Sequence, residues 1–586
     1  MVDSPIVTNP AAEPAETEIR RLRWDSDHPH YKWVALSNTT MGMLLAVINS
    51  SIVLISLPAI FRGIGLDPLA PANIGYLLWM LMGYLVATAV LVVLAGRLGD
   101  VFGRVRVYNL GFAVFTVAAI ALSFDPFHFG GGAVWLIGWR VVQGVGGAIL
   151  MALSAAILTD AFPSNQRGMA LGFNMVAAVA GSFIGLLLGG VLSEWDWRAI
   201  FWVGVPIGVL GTIWGVRSLH EISSRTAESV DWLGTVTFGV GLTVVLTAIT
   251  YGIQPYGGHA TGWTNPWVLG SVAFGLLLLG AFCVIELRVS QPMMDVRLFR
   301  SAAFGMGNLA NLMSSVGRGG LQFMLIIWLQ GIWLPLHGYS FESTPLWSGI
   351  YLLPTTFGFL IGAPLAGRLS DRYGARPPSV AGMLLMAATF VGLVMIPVNF
   401  DYWLFALLVF LNGLGGGIFA APNTAVIMSS APAGARGAAS GVRATFFNAG
   451  SALSIGVFFS LMIVGLSNKL PQALSGGLQA QGVSAAVAHD VAGLPPVGSL
   501  FAAFLGYNPI AKLLAPSGAL QQPGVNTEVL TGKSFFPQLI SGPFHAGLVV
   551  VFVAAAVMMV IGALASLAGA GRYADEDVVA GFSTAD

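Results

Sequence analysis

The chain has 586 residues, 56% of them hydrophobic and only 9% charged, with a mean hydropathy of +0.80. Soluble domains carry roughly a quarter charged residues, so this composition excludes a soluble globular protein and requires a bilayer as solvent. The 26 basic and 26 acidic residues cancel, which leaves no basic surplus for nucleic acid.

Residues 1–32 are polar and charged and read as a tail, not a cleavable signal, because the apolar run behind them is too long for a signal core. Apolar stretches of about 18–28 residues, the length that spans a bilayer, then fall near 34–60, 73–95, 107–124, 133–158, 169–192, 199–218, 232–254, 266–287, 302–333, 346–366, 379–398, 403–428, 438–466 and 544–569. The expected fold is an all-α membrane protein with 14 transmembrane helices. The one cysteine, Cys283, lies in an apolar run, so no intramolecular disulfide is available. Sorting the 26 Lys and Arg by the positive-inside rule puts Arg62, Arg198, Lys469, Lys512 and Lys533 outside, and Arg140 and Arg318 within spans. All the others fall on the cytoplasmic side. Both termini are expected to be cytoplasmic.

GRLGDVFGR at 96–104 returns as GRLSDRYGAR at 367–376. The first copy joins spans 2 and 3, the second spans 10 and 11, so the chain divides 6+2+6 as internal transporter repeats would. The divisions are a tail at 1–32, a six-helix half at 33–218, an inserted pair (spans 7 and 8) at 219–301, a second half at 302–570, and a tail at 571–586. Gly96, Gly103, Gly367 and Gly374 would let the backbone turn and approach neighbouring helices. Asp100, Arg104, Asp371 and Arg372 would form and break polar contacts at a gate.

Within the spans, LAVINSSIVLISLP (45–58) places Asn49, Ser50 and Ser51 in an apolar helix. Asn308, Asn311, Ser315, Arg318 and Gln322 step by three and four, so they share one helical face. That face reads as a cavity wall, with a polar seam between helices as the competing reading. None of the acids falls in the middle of a span; Glu286, in the last turn of span 8, is nearest. Two deep arginines without an acid suit an anionic, zwitterionic or neutral amphiphile. The outer loop at 467–543 contains VGSLFAAFLGYNPIAKLLAP (497–516), apolar enough to cover the mouth, guide a hydrophobic substrate or dock an outer protein partner.

Together with the two loops, LIGWRVVQGVGGA (136–148), DWRAIFWVGVPIG (196–208), ELRVSQPMMDVRLF (286–299), FMLIIWLQGIWLPLHGY (323–339), GLGGGIFAAPN (413–423) and GAASGVRATFFNAGSALSIG (437–456) occur in the order of a known family. The chain resembles the major facilitator superfamily in its fourteen-helix drug:proton antiporter branch. The resemblance implies a major facilitator fold, alternating access about a central cavity, and proton-driven export of amphiphiles from a bacterial inner (plasma) membrane. It gives Arg140 and Gln143 a role in coupling or cavity polarity. Two positions depart from the pattern. Asn49 stands where the family has an Asp proton carrier, and an amide does not titrate. Leu186 in GSFIGLLLGG (181–190) stands where the family has a proline. Asp100, Asp160 and His545 remain as candidate proton carriers.

The expected function is a secondary active exporter of amphiphilic small molecules, with a lipid or glycolipid exporter as the alternative and a non-transporting scaffold or receptor as a third reading. An enzyme lacks its parts: there is no metal-spaced His/Asp/Glu cluster and no GxSxG elbow. No cofactor is expected, and the missing GxxxxGK[ST] loop argues against a nucleotide-driven pump.

Overall fold

In lipid every backbone N–H and C=O must be satisfied inside its own segment, which leaves the helix as the default spanning element for such a sequence. The computed structural model describes residues 30–67, 70–163, 166–222, 231–289, 292–432, 436–506 and 508–569, and these contain no strand. The expected tails, apart from residues 30–32, lie outside the described residues.

Among the described residues, fourteen helices are long and apolar enough to cross a membrane: α1 (Tyr31–Gly63), α2 (Asn73–Phe102), α3 (Arg104–Phe124), α4 (Phe129–Ala161), α5 (Met169–Trp195), α6 (Ala199–Ser218), α7 (Trp232–Gly252), α8 (Pro266–Arg288), α9 (Ala302–Leu336), α10 (Thr344–Tyr373), α11 (Arg376–Met395), α12 (Tyr402–Ser429), α13 (Ala438–Ser467) and α14 (Phe535–Gly569). Each matches an expected span. α14 starts nine residues before the expected 544 because apolar FFPQLISGPF continues the helix through Pro543.

The helices pair in a repeating pattern. α5 packs on α1, α4 on α2 and α3, and α6 on α1 and α3; eight helices later α13 packs on α9, α12 on α10 and α11, and α14 on α9 and α11. α7 and α8 pack on each other, and α7 also touches α2 and α13.

Close approach along these seams depends on small residues, since lipid offers helices no hydrophobic drive to associate. Gly181, Gly185 and Gly189 recur every fourth residue on α5. A Cβ there would stand 3.3, 2.6 and 2.8 Å from the carbonyl oxygens of Leu44, Ile48 and Ile52 on α1. Gly190, on the next face, would meet the Leu346 backbone nitrogen of α10 at 2.7 Å. With Leu186 in place of a proline, α5 runs unbroken and keeps this backbone-to-backbone contact.

The two sets of helices meet along a seam of α2 against α13, and again at the end of the bundle far from Tyr31 and Gly569. Gln330 lies in a π turn, Leu329–Trp333, and its Nε2 donates to Ser348 Oγ at 3.0 Å and to the Ile55 carbonyl at 3.4 Å. This ties α9 and α10 to α1. Gly349 of α10 faces the Leu186 carbonyl of α5.

The long loop folds over the same end as short helices, among them Leu470–Gln479, Ala485–Ala492 and Pro496–Phe504. Residues Val497 to Phe504 of the last are all buried. That helix touches α2, α9 and α13, and Phe501 stacks on Phe459 at 4.8 Å. Arg62 at the end of α1 donates to the Leu505 carbonyl at 3.2 Å, and Lys512 pairs with Asp67. Of the roles expected for 467–543, covering the mouth fits this packing. A protein-docking surface on 497–505 does not, because those side chains are turned inward.

Overpacking a close seam costs about 1–3 kcal/mol, whereas alanine in open space slightly favours helix. Gly185→Ala is expected to lower the melting temperature of the purified protein by several degrees. Gly172→Ala on the same helix, where a Cβ meets nothing within 4 Å, should leave it within about a degree. Equal effects would contradict the seam.

Candidate functional site

An arginine at the bilayer centre costs roughly 3 kcal/mol or more to insert, so its surroundings show how the cost is met. Arg140 on α4 is 2% exposed. Its Nη1 donates to Asn49 Oδ1 at 2.8 Å, to the Asn49 carbonyl at 3.3 Å and to Gln143 Oε1 at 2.8 Å. The guanidinium lies 4.6 Å over the ring of Tyr84, whose hydroxyl donates to the Ala46 carbonyl. Hydrogen bonds to a charged group contribute about 1.5–3 kcal/mol each, enough to offset insertion. Asn49 and Gln143 are buried as well. The amide of Asn49 thus serves as a neutral acceptor for Arg140, a role in which a carboxylate would form a buried ion pair. Ser51 folds back on the Val47 carbonyl at 3.0 Å, and Ser50 is half-buried.

The polar face of α9 divides in two. Asn308 donates to the Phe304 carbonyl, Asn311 to the Arg443 carbonyl of α13 at 3.0 Å, and Ser315 to the Leu312 carbonyl, all three buried. This upper part is a helix seam, as the competing reading had it. Arg318 and Gln322 are only half-buried. Arg318 lies 4.6 Å over the ring of Phe359 on α10 and beside Gly416 on α12, with no hydrogen bond or ion pair among the described residues.

Sequence reasoning missed three groups. Arg443 lies five residues inside α13, with its Nε buried and unpaired. Its nearness to the expected edge hid it. Asp125, in the turn after α3, is 3% exposed, and its Oδ2 has no partner. Burial pushes its carboxyl up, against the opposing pull of the Phe127 N–H, Arg198 and His128. Glu221, just past α6, accepts from the Arg104 backbone N–H at 2.6 Å and the Val105 N–H at 3.2 Å, capping the start of α3 from a distance. Of the acids that were noted, Glu286 is 2% exposed, with Oε2 accepting from the Met294 N–H and Oε1 unpaired.

The two loop copies have different surroundings. In the first, Arg104 Nε donates to Asp100 Oδ1 at 2.9 Å and Nη1 to Asp160 Oδ1 at 2.7 Å, so one guanidinium serves two carboxylates. In the second, Asp371 and Arg372 are exposed, and Arg372 lies 5.3 Å over the ring of Tyr373. Gly103 (φ 104°) and Gly374 (φ 80°) make the turns, in a region that disfavours side chains. Gly96 and Gly367 do not bring helices together: both lie inside helices with nothing within 4 Å of a Cβ. His545 is ten residues inside α14, not at its edge, with Nδ1 buried and unpaired.

The family model of the Major Facilitator Superfamily matches residues 39–455. The chain belongs to the major facilitator superfamily. It is therefore a transporter and not an enzyme, and a multi-pass membrane protein with bacterial relatives. It is 29% identical over 477 residues to the tetracenomycin C resistance and export protein of Streptomyces glaucescens, covering 80% of this chain and 84% of that one. It is 29% identical over 400 residues to the methylenomycin A resistance protein of Streptomyces coelicolor (68% and 79% covered). It is 26% identical over 438 residues to a riboflavin transporter of Clostridioides difficile (74% and 89%). The fold is also that of a peptide transporter crystallised with sulfate (TM-score 0.54, 14% identity, 84% and 95% covered). A bacterial Spinster homologue shares it too (0.53, 14%, 92% and 98%).

The unequal loop copies generate a prediction for this major facilitator protein. Arg104→Gln, which leaves Asp100 and Asp160 facing each other, should lower transport at least tenfold at equal membrane abundance. Arg372→Gln should cost less than twofold. Transport of the relatives' substrates and of a dye panel by everted vesicles checks this, and equal sensitivity would overturn it.

Proposed function

We propose that the protein exports amphiphilic small molecules by alternating access between two six-helix units, α1–α6 and α9–α14, with α7 and α8 inserted and both termini cytoplasmic. The pairing pattern that repeats eight helices on supports the two units. The observation that carries the reading is the set of specific contacts that the two units share at one end, beside the α2–α13 seam. α1, α5, α9, α10 and the helix Pro496–Phe504 meet there. The names of the Streptomyces relatives, resistance and export, support the direction of transport.

The proton route does not run through α1, since Asn49 is a fixed neutral acceptor for Arg140. We place coupling at Asp100, Arg104 and Asp160. One arginine neutralises only one of two carboxylates, so the cluster has room for one proton, and Glu221 and Arg167 lie beside it. A lipid or glycolipid cargo is the second reading, favoured by the largely apolar segment Val497–Phe504 at the mouth.

Efflux of a cationic dye, a fluorescent fatty acid and a fluorescent phospholipid from energised cells tests both readings. An uncoupler should abolish export by the native protein, Asp160→Asn should remove the dependence on the gradient, and Asn49→Asp should not be needed for either result. Native efflux that persists after the uncoupler would reject the coupling, and export of the phospholipid alone would favour the second reading.

A further inference from the structure

We propose that Arg318 is the docking point for a single negative charge on the exported molecule, so that the substrates are anionic amphiphiles. This rests on the export reading above and adds the substrate class to it. Arg140, Arg318 and Arg443 differ in how their charge is satisfied. Arg140 is enclosed by two amide oxygens, a carbonyl and a ring. Arg443 is five residues from the start of α13, within reach of the membrane surface for a long side chain.

Arg318 has neither remedy. Sixteen residues separate it from the start of α9 and eighteen from its end, about 24 Å or more at 1.5 Å per residue, too far for the side chain to reach water at either surface. Its five N–H donors have no hydrogen-bond or ion-pair partner among the described residues; the face of Phe359 lies against it, and so does α12 at Gly416, where a Cβ would stand 3.4 Å from Nε. It is not sealed in: the side chain is half-buried, as is Gln322 one turn on.

None of the carboxylates in the described spans pairs with Arg318: Glu194 and Asp371 lie within two residues of the ends of α5 and α10. Asp100 and Asp160 bind Arg104, and Glu286 belongs to α8. An unpaired guanidinium at mid-depth, open on one side and backed by an aromatic ring, presents a fork that matches a carboxylate or sulfonate. The apolar body of such a ligand would lie along the neighbouring apolar walls of α10 and α12. A cationic dye would meet repulsion at this position.

The test uses pyrenebutyrate and its uncharged amide, which share one skeleton, on the full-length protein. Equilibrium binding to purified protein and uptake by proteoliposomes are both measured for the native protein, Arg318→Gln and Arg318→Lys. The expected result is that Arg318→Gln weakens pyrenebutyrate binding and raises its KM at least tenfold while the amide changes less than twofold. Arg318→Lys should recover pyrenebutyrate to within about threefold of native.

Equal losses for both probes, or no loss for either, would overturn the proposal. So would displacement of pyrenebutyrate by inorganic sulfate as readily as by a second anionic amphiphile, which would make the site one for free anions. If the native protein binds pyrenebutyrate in an Arg318-dependent way but transports neither probe, the export reading fails and the anion site stands. If it neither binds nor transports pyrenebutyrate, the anion site fails.

Discussion

A positive charge held in the middle of a bilayer must be solvated by something, and the paired surroundings of Arg140 and Arg318 organise the rest of this transporter. Arg140 is solvated by protein alone. Its acceptors come from α1 and from its own helix, so it fixes α1 against α4 whatever the external pH. That makes the Asn at position 49 a structural choice as well as a loss. A carboxylate at this place would tie the same two helices only while ionised. Arg318, with no hydrogen-bond or ion-pair partner among the described residues, lies among α9, α10 and α12. The two sets of helices pair alike, yet α4 carries an enclosed arginine and α9 one without a polar partner among the described residues.

Movement of two such halves requires seams that hold and surfaces that part. The seams within each half are made by glycines that bring backbones into contact, as Gly185 and Gly189 do on α5. They offer little compressible side-chain material, so each half can move as a body. The surfaces that part are different. At the far end they include Gln330 to Ile55, Arg62 to Leu505, Lys512 to Asp67 and the approach of α5 to α10 at Gly190 and Gly349, around the buried helix Pro496–Phe504. Such contacts are individually weak enough to break in a transport cycle, where hydrogen bonds contribute on the order of 1 kcal/mol each.

The fold was legible because bilayer thickness converts composition into helices directly, and the repeated GRLGDVFGR and GRLSDRYGAR loops revealed the period. The site was legible in kind and not in partner. Spacing showed that Asn308, Asn311, Ser315, Arg318 and Gln322 share a face, but not that the face changes neighbour along its length. Asn311 and Ser315 meet α13, while Arg318 lies over Phe359 of α10 and beside Gly416 of α12. The duplicated loop suggested equal gates, yet only the first copy finds a partner network, because Asp160 and Glu221 come from chain segments with no motif of their own. Asp125 read as an ordinary loop acid, since burial of a turn depends on what folds over it. The apolar stretch 497–516 was correctly seen as too greasy for solvent, but its destination between helices of both halves is a tertiary fact.

The most direct test of the two-body account is a reversible staple across the far end. In a Cys283→Ser background, Asp67→Cys and Lys512→Cys, bridged by a short cleavable thiol cross-linker, would join the loop after α1 to the helical cap of the other half. The account predicts that transport in proteoliposomes falls at least tenfold on cross-linking and returns when the bridge is cleaved. A stapled protein that transports at the rate of the cleaved one would contradict it.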